Sequence, residues 1–430
     1  MLPKIIEYLN NKSVLILGFG REGQSTLKYI RDYLPEKQLV IADKNNITVD
    51  DKNVEIICGE NYLDCVNDFE LVMKSPGISF KNVKVEENTE VSCQVDLFLR
   101  FAPCRKVGIT GSKGKTTTST LTYEMLKAAG YDARLIGNIG VPVFETLETL
   151  TENTVAVIEM SSHQLEFTRK SPEVAILTNV YEEHLDHYKG GFTGYVNSKL
   201  NIMRYQTENN SFIYNATQGV SQYIDLAVTP ANKVGVKADG ELPFEVRNEH
   251  LLGEHNRQDV LFAYNAAKIF GADDSACEKG VENFSGIEHR MENVGTYKGI
   301  TFYNDCIATI PHAVECAIEA LKKVDTLIIG GKDRGIDYSE FVDYLLNCSV
   351  SNIIGTPETG HNIADEMLKQ GTQKTVIKAT DLEGAVEKAY EITALDKICL
   401  LSPAASSYNV YKNFEEKGKH YKELIKKYSE

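Results

Sequence analysis

Residues 106–118 constrain this chain of 430 residues more than any other stretch; they read Lys-Val-Gly-Ile-Thr-Gly-Ser-Lys-Gly-Lys-Thr-Thr-Thr. A short apolar run, a glycine turn and a threonine-rich segment predict a β-strand that enters a loop and then a helix. Gly111 and Gly114 let the loop turn its backbone N–H groups inwards, which makes a nest for phosphate oxygens. Lys115 can then reach terminal phosphates and Thr116 can hold Mg²⁺. The stretch predicts a nucleoside triphosphate site.

This motif is a compact form, Gly-x-x-Gly-Lys-Thr, because Ile109 stands where the eight-residue P-loop pattern has its first glycine. A Gly-Lys-Thr tripeptide also occurs in surface loops that bind nothing. The preceding apolar strand, the second glycine and the three successive threonines favour the nucleotide site over that alternative.

Overall composition limits the partners. The net charge of −15 and the isoelectric point near 5.2 argue against nucleic acid or a membrane surface as the main partner. The first residues lack the apolar region of a signal peptide, and no apolar run approaches the roughly 20 residues that span a bilayer. The nine cysteines include no Cys-x-x-Cys pair, which indicates reduced thiols. We expect a cytoplasmic monomer.

The first part of the chain has the order of a dinucleotide-type fold. An apolar run at residues 13–18 leads into Gly-Phe-Gly-Arg-Glu-Gly at residues 18–23, then a helical stretch, then a strand at residues 39–43 that ends in Asp43. The alternative is a turn whose glycines serve packing only. A further strand at residues 71–73 is followed by Lys-Ser-Pro-Gly, where the N–H of Gly77 can face a ligand. Residues 1–98 are predicted to form a Rossmann-like domain.

The middle of the chain continues the alternation of strands and helices. Residues 154–159 and 174–179 are predicted strands that end in Glu159 and Asn179. Ligands of open α/β sheets lie at the carboxyl ends of strands, so Glu159 and the segment after Asn179 should face the crevice of the P-loop. A buried, unpaired carboxylate is costly, which makes Mg²⁺ a plausible partner for Glu159. Composition alone favours a polar loop for the acidic stretch around His184 and an exposed position on a helix for Lys199.

The last part of the chain has predicted strands at residues 300–303, 326–329, 353–354 and 398–401, each followed by turn or polar residues. We therefore predict an α/β protein of three domains. These are a Rossmann-like domain at 1–98, a central P-loop ATPase-type domain at 99–286 and a second Rossmann-like domain at 287–430.

Across its whole length the chain resembles the Mur ligases of peptidoglycan precursor synthesis. The motifs that carry the resemblance occur in the family's order: residues 111–117, 159–166, 179–187 with Lys199, 253–256, 289–290, 304–305, and 401–408 with 412–414. The resemblance implies that the three domains bind a UDP substrate, ATP and glutamate, in that order along the chain.

A specific reaction is implied by the resemblance. The γ-phosphate of ATP is transferred to the carboxylate of UDP-N-acetylmuramoyl-L-alanine, and the amino group of D-glutamate attacks the acyl phosphate. A carboxylate is a poor acyl donor until one oxygen becomes a phosphate leaving group, and cations must neutralise the oxygens that are brought together. Two Mg²⁺ ions are implied as cofactors.

Residue roles also follow from the resemblance. Catalysis is assigned to Lys115, Glu159, His184 and Lys199. The metal ligands are Thr116, Glu159, His184 and Lys199, the last as a carbamate made from CO₂. ATP is expected at Gly111, Ser112, Lys113, Gly114, Lys115, Thr116, Thr117, Asp259, Arg290 and Asp305. The UDP substrate is expected at Gly18, Phe19, Gly20, Arg21, Asp43, Gly77, Asn138 and His184, and glutamate at Thr309, Arg334, Ser407, Tyr408 and Phe414.

The chain departs from the family pattern at three places. Asp259 stands where an asparagine is usual, which leaves a direct amide contact to adenine open. Cys306-Ile307 replaces a Ser-Lys pair near the amino-acid pocket, so L-glutamate stays an alternative substrate. Arg334 can replace a lysine, because its planar fork suits a carboxylate.

Three further alternatives concern the role of two aromatic residues and the class of function. Tyr408 and Phe414 can be ordinary core aromatics. A nucleotide-binding switch without ligase chemistry would keep Lys115 and Thr116 but would not need Glu159, His184 and Lys199 together. A folate-type ligase would lack the Rossmann-like first domain.

Overall fold

A computed structural model describes residues 3–430 except 139–140, 217–219, 225–227, 252, 334 and 409. The chain divides into two compact units, residues 1–285 and 286–430. Strands and helices alternate in both units, so the predicted α/β class is confirmed. No helix in the described ranges combines the length and the apolar character needed to cross a membrane.

The first unit begins with a five-stranded parallel sheet in the order β3-β2-β1-β4-β5. Its strands are β1 (Val14–Leu17), β2 (Leu39–Asp43), β3 (Val54–Cys58), β4 (Leu71–Lys74) and β5 (Glu90–Ser92). Its helices are α1 (Lys4–Asn10), α2 (Arg21–Tyr33) and α3 (Gln94–Phe101), with a 3₁₀ turn at Asp64–Asp68. The order reverses between β1 and β4, and such a reversal opens a crevice at the carboxyl ends of the strands.

Close packing explains the third glycine of the turn after β1. A Cβ atom built on Gly23 would lie 2.1 Å from the carbonyl oxygen of Gly18, which is backbone and has little room to move. We expect Gly23→Ala to lower the free energy of unfolding by about 1–3 kcal/mol, as other overpacking substitutions do. Urea unfolding of the whole chain checks this, with Gly77→Ala as a control, because a methyl group there has open space and the backbone φ of Gly77 is not positive. Equal effects of the two substitutions would contradict the packing argument.

The second sheet of this unit has six parallel strands in the order β11-β10-β9-β6-β8-β7. The strands are β6 (Arg105–Thr110), β7 (Asp132–Gly137), β8 (Thr154–Glu159), β9 (Val174–Leu177), β10 (Ser211–Asn215) and β11 (Asn232–Val236). The helices are α4 (Lys115–Ala128), α5 (Ser162–Leu165), α6 (Phe192–Arg204), α7 (Ser221–Ile224), α8 (Glu254–Phe270) and α9 (Asp274–Asn283), with a 3₁₀ turn at Val143–Thr149. β6 lies between β8 and β9, so the ends of both neighbours flank the loop after β6.

One predicted strand is shorter than expected. The prediction extended to Asn179, but β9 ends at Leu177. The side chain of Thr178 donates to the carbonyl oxygen of Lys113 at 2.6 Å, and the carbonyl of Asn179 accepts from the N–H of Ser112 at 3.0 Å. The N–H of Thr178 still donates to the carbonyl of Thr110 at the end of β6 at 3.0 Å, but the other contacts of these two residues are made with the loop after β6.

Buried polar contacts join the two sheets of the first unit. Lys74, at the end of β4, is 3% exposed, and its Nζ lies 3.4 Å from Oε2 of Glu166, which follows α5. The side chain of Gln164 donates to Oε1 of Glu22 on α2 at 2.7 Å. Burial lowers the pKa of Lys74 and raises the pKa of Glu22. Charged groups from one sheet thus depend on partners from the other.

The second unit contains one six-stranded sheet in the order β12-β13-β17-β14-β15-β16, parallel except for β12 against β13. Its strands are β12 (Glu292–Tyr297), β13 (Ile300–Asn304), β14 (Val324–Ile329), β15 (Asn352–Gly355), β16 (Thr375–Lys378) and β17 (Ile398–Leu401). Its helices are α10 (Pro311–Leu321), α11 (Ser339–Asn347), α12 (Thr359–Lys369), α13 (Leu382–Ile392) and α14 (Phe414–Ser429). Four of the six strands were predicted. The edge strands β12 and β16 contain no fully buried residue, so they lack a clear apolar pattern.

Candidate functional site

The loop between β6 and α4 has the form of a phosphate-binding turn. Gly114 caps α4 with a φ of 80°, a left-handed conformation that favours glycine. A Cβ atom on Gly111 would lie 1.9 Å from Oγ1 of Thr178, so a side chain cannot be placed there without movement. The N-terminus of α4 follows at once, and a helix N-terminus favours an anion.

Asn179 holds this loop in place. Its side-chain oxygen accepts from the N–H of Lys113 at 2.7 Å, and its side-chain amide donates to the carbonyl of Lys113 at 3.0 Å. Sequence reasoning placed Asn179 in the crevice but did not foresee this role. The signal that would have suggested it is the position of an asparagine at the end of a strand next to β6.

Two lysine side chains meet at one carbonyl oxygen. Nζ of Lys115 donates to the carbonyl oxygens of Gly111 and Ser112 at 3.0 and 2.9 Å, and Nζ of Lys199 donates to that of Gly111 at 2.7 Å. Lys199 is 2% exposed, so it is not the exposed helix lysine that composition suggested. Burial, with a smaller contribution from the charge of Lys115, holds the pKa of Lys199 well below its ordinary value. The direction of this shift is towards the neutral amine.

Glu159, at the end of β8, lies beside the start of α4. Its Oε2 accepts from the Thr116 hydroxyl at 2.8 Å, and its Oε1 accepts from the Asn138 amide at 2.7 Å. Glu159 is 2% exposed. A hydroxyl and a carboxylate in contact fit Mg²⁺, which prefers oxygen ligands. Asn138, assigned to the UDP substrate by resemblance, contacts this carboxylate, and the Gly137–Gly140 stretch around it includes two residues outside the described ranges.

Tyr195 is a site residue that sequence reasoning missed. Its hydroxyl lies 2.7 Å from Oγ of Ser112 and 3.3 Å from Oε2 of Glu183, and Glu183 pairs with Lys113 at 2.8 Å. Nζ of Lys199 lies 4.7 Å from the centre of the Tyr195 ring. Helical spacing indicates only that Tyr195 and Lys199, four residues apart, share a face of α6, and it does not indicate the contact with Ser112. Tyr195 therefore links the loop to α6.

His184 lies beside two other imidazole rings, with its ring centre 4.7 Å from that of His163. Burial lowers the pKa of His163 to about 3, so that ring is neutral near pH 7. Among the described residues, no group of three or more His, Cys, Asp or Glu side chains is arranged to hold a metal ion. The assignments of His184 and Lys199 as metal ligands remain predictions.

The remaining ATP candidates of the first unit lie at the start of α4 and beneath it. Asp259, on α8, is buried and accepts from the Thr118 hydroxyl at 3.1 Å. A Cβ atom on Gly114 would lie 2.5 Å from Oδ1 of this carboxylate. Thr117, the other candidate, is buried on α4. The carboxylate of Asp259 thus packs directly against the phosphate-binding turn.

The candidates for the UDP substrate gather at the carboxyl end of the first sheet. Asp43 accepts from the N–H of Phe19 at 2.7 Å, and the Ser75 hydroxyl donates to the carbonyl of Gly18 at 2.9 Å. Gly20 precedes Arg21, the first residue of α2, and Gly77 is exposed two residues after Ser75. These residues lie together at the carboxyl edge of the first sheet, whereas Asn138 and His184 lie at the second sheet.

In the second unit, Asp305 follows β13 and is buried. Its carboxylate accepts from the Ser402 hydroxyl at 2.7 Å and from the N–H of Met291 at 3.1 Å. Burial raises the pKa of Asp305 to about 6, although the nearby charge of Arg290 opposes that shift. Arg290 is exposed. The two residues predicted to contact ATP here are thus close neighbours.

The glutamate candidates differ in their surroundings. Thr309 lies in the loop before α10 and Ser407 in the segment after β17, where its buried hydroxyl has no hydrogen-bond partner among the described residues. Tyr408 is 65% exposed and is not a core aromatic. Phe414 packs against the core of this unit, with its ring centre 6.0 Å from that of His289, as the alternative interpretation proposed. Arg334 lies outside the described residues.

Comparison with known proteins gives consistent matches. Residues 109–267 match the family described as Mur ligase middle domain, and residues 289–405 match Mur ligase, glutamate ligase domain. The UDP-N-acetylmuramoylalanine--D-glutamate ligase of Ligilactobacillus salivarius is 32% identical over 457 residues, covering 99% of both chains. The ligase of the same name from Lactobacillus gasseri is 34% identical over 459 residues, covering 98% of this chain and 99% of that protein.

Solved structures agree on the fold. The MurF ligase of Thermotoga maritima in complex with ADP has a TM-score of 0.58 at 16% identity, covering 96% of this chain and 95% of that one. At that level of identity the likeness bears on the fold alone.

Proposed function

The chain belongs to the Mur ligase family, and we propose that it joins D-glutamate to UDP-N-acetylmuramoyl-L-alanine at the expense of ATP. The enzyme is an ATP-dependent amide ligase of peptidoglycan precursor synthesis. The observation that carries the proposal is the match over nearly the full length of relatives that bear the name of this ligase. The contacts among the P-loop, Glu159 and Lys199 support it, because a switch without ligase chemistry would not need all three.

The residues of the first unit suit the activation of a carboxylate. The loop and Lys115 would bind the phosphates of ATP, at the place where Nζ of Lys115 donates to the loop carbonyls of Gly111 and Ser112. Thr116 and Glu159 would hold Mg²⁺, which neutralises the phosphate oxygens as they approach the substrate carboxylate. That carboxylate becomes an acyl phosphate, and the glutamate amine displaces phosphate from it.

Lys199 has the properties that a carbamate requires. The side chain is buried, and its lowered pKa favours the neutral amine that can react with CO₂. The resulting carbamate is an anionic oxygen ligand, and with His184 it would hold a second Mg²⁺. Without the modification, an amine at this place offers no oxygen to a cation.

The second unit supplies the remaining groups. Arg290 and Asp305 are proposed to contact ATP, while Thr309, Arg334, Ser407, Tyr408 and Phe414 are proposed to bind glutamate. The relatives' names specify D-glutamate, which favours that stereoisomer in spite of Cys306-Ile307. We also propose that the enzyme acts as a monomer in the cytoplasm, with no nucleic-acid or membrane partner.

The test is phosphate release from ATP with UDP-N-acetylmuramoyl-L-alanine, run with D-glutamate, with L-glutamate and with neither. We expect release that depends on D-glutamate, since an acyl phosphate needs its amine acceptor. Release with L-glutamate alone would keep the mechanism and change the substrate. No release in any reaction, together with retained ATP binding, would favour the nucleotide-binding switch.

A further inference from the structure

Lys417, on α14 in the second unit, is a buried lysine to which the proposed reaction gives no role. It is 3% exposed, and its Nζ donates to the carbonyl oxygen of Gly330 at 2.8 Å. Within the described ranges its amine makes no other hydrogen bond and no ion pair. Burial lowers the pKa of Lys417, and burial also raises the pKa of the nearby Cys306 thiol to about 12, so that thiol is neutral near pH 7. An enclosed amine with one uncharged partner is costly, so its presence needs an explanation.

The partner of Lys417 begins a loop that packs closely on two other segments. Gly330 follows β14 and has a φ of 123°. A Cβ atom built on Gly331 would lie 2.3 Å from the carbonyl oxygen of Ser406, and the N–H of Lys332 donates to that same carbonyl at 2.8 Å. The carbonyl of Gly331 accepts from the N–H of Thr359, at the start of α12, at 3.0 Å. The loop after β14 therefore lies between the segment after β17 and the start of α12.

All three chain segments that meet at this loop lead to residues proposed to bind glutamate. Ser407 follows Ser406, which accepts from the loop, and Arg334 comes four residues after Gly330 in the sequence. Phe414 lies three residues before Lys417, on the same face of α14. The hydrogen bond of Lys417 thus joins α14 to the loop, and the loop in turn contacts the segment that carries Ser407.

We propose that Lys417 is a positioning residue for glutamate, which fixes the carbonyl of Gly330 and through it the loop after β14 and the segment that carries Ser407. This inference rests on the proposed function. A direct contact between Lys417 and the substrate does not fit, because the side chain is enclosed and its amine donates to the backbone. A residue that acts through the loop should change the binding of glutamate and leave the phosphate-binding turn of the first unit unaffected.

A purely structural role is the competing explanation, and Lys374 offers a matched control for it. Nζ of Lys374 also donates to backbone carbonyls of the second unit, those of Cys348 and Val350, both at 2.6 Å. Lys374 precedes β16, so it lies at the amino end of the parallel strands, whereas Gly330 lies at the carboxyl end of β14. Its removal costs two hydrogen bonds far from the glutamate candidates of this unit.

Steady-state kinetics of phosphate release by the whole chain test the proposal. Lys417→Met keeps the length of the side chain and removes the donor. Its KM for D-glutamate is expected to rise about 10-fold, the value of one lost hydrogen bond, with kcat within a few-fold and the KM for ATP unchanged. Lys417→Arg can donate to the same carbonyl and should recover most of the affinity. Lys374→Met should leave the KM for D-glutamate unchanged.

Two further measurements need no substrate. The amide of Lys332 should exchange its hydrogen faster in Lys417→Met than in the wild type, because the loop is no longer fixed at Gly330, and Lys374→Met should not show this change. In urea, Lys417→Met should unfold near the wild-type midpoint, because the loss of an enclosed amine offsets the loss of its hydrogen bond. Lys374→Met should lower the midpoint by at least as much as Lys417→Met does.

Several outcomes would overturn the proposal. An unchanged KM for D-glutamate in Lys417→Met would show that the loop does not depend on this amine, as would unchanged exchange at Lys332. A parallel rise in the KM for ATP, or a larger fall in the urea midpoint than in Lys374→Met, would assign Lys417 to stability alone. Lys417→Leu replaces Lys417→Met if the latter does not fold, and failure of both to fold would lead to the same conclusion. If the wild type releases no phosphate with glutamate while exchange at Lys332 still responds to Lys417→Met, the proposed function fails and the fixing of the loop stands.

Discussion

Replacing Lys199 by alanine is expected to lower kcat on the order of 10³-fold, because about 4 kcal/mol of charge stabilisation at a metal site is lost with the carbamate. The side chain is 2% exposed and, among the residues that the structure describes, donates only to the carbonyl of Gly111. Its removal should leave the binding of the UDP substrate nearly intact. Steady-state kinetics and calorimetry on the same preparation separate the two effects.

Removal of CO₂ from the buffer should lower the kcat of the wild-type protein in the same way, because the carbamate on Lys199 is then lost. In CO₂-depleted buffer we expect wild-type activity to fall and to return when bicarbonate is added, while Lys199→Ala does not respond. Lys233→Ala, at an exposed lysine on β11, serves as the control and should behave like the wild type. Full activity without CO₂, or full activity of Lys199→Ala, would show that no carbamate is needed.

Glu159→Gln is expected to have an effect of similar size, about 10³-fold in kcat, with a higher Mg²⁺ requirement. The two carboxylate oxygens accept from Thr116 and Asn138, and a glutamine keeps only one acceptor and loses the charge. Magnesium titrations of the phosphate-release rate measure the change.

Thr116→Ser is the matched control for Glu159→Gln, because it keeps the hydroxyl that contacts the carboxylate. We expect it to retain activity within a few-fold of the wild type. If Glu159→Gln showed a normal Mg²⁺ dependence, the carboxylate would be a structural partner of Thr116 and Asn138 and not a metal ligand.

The strands that could be predicted from sequence are those buried on both faces. β1 and β17 are continuous apolar runs, and β8 is apolar between Thr154 and Glu159. Every residue of these three strands is buried, and each strand was predicted within one residue at either end. The edge strands β12 and β16 were missed, because their exposed positions break the pattern. A strand that is buried on both faces has a continuous apolar pattern in its local sequence. An edge strand pairs with a single neighbour and lacks that pattern.

The residues of the candidate site also differ in whether they could be predicted from the sequence. The P-loop and the acid at the end of β8 were predictable, because loop chemistry and strand ends are local features. The burial of Lys199 and the role of Tyr195 were not, since both depend on how α6 packs against a loop more than 80 residues earlier in the chain. The contact of Asn138 with Glu159 likewise needs the pairing of β7 with β8.

The polar contacts between the two sheets of the first unit limit which segments can be exchanged between this chain and its relatives. A chimera that takes the first sheet from a relative keeps Glu166 but must still supply a cation where Lys74 lies. An uncompensated buried charge costs about 3–5 kcal/mol, which approaches the whole stability of many domains. Recombination at this junction is therefore expected to succeed only when both sides of the pair are inherited together.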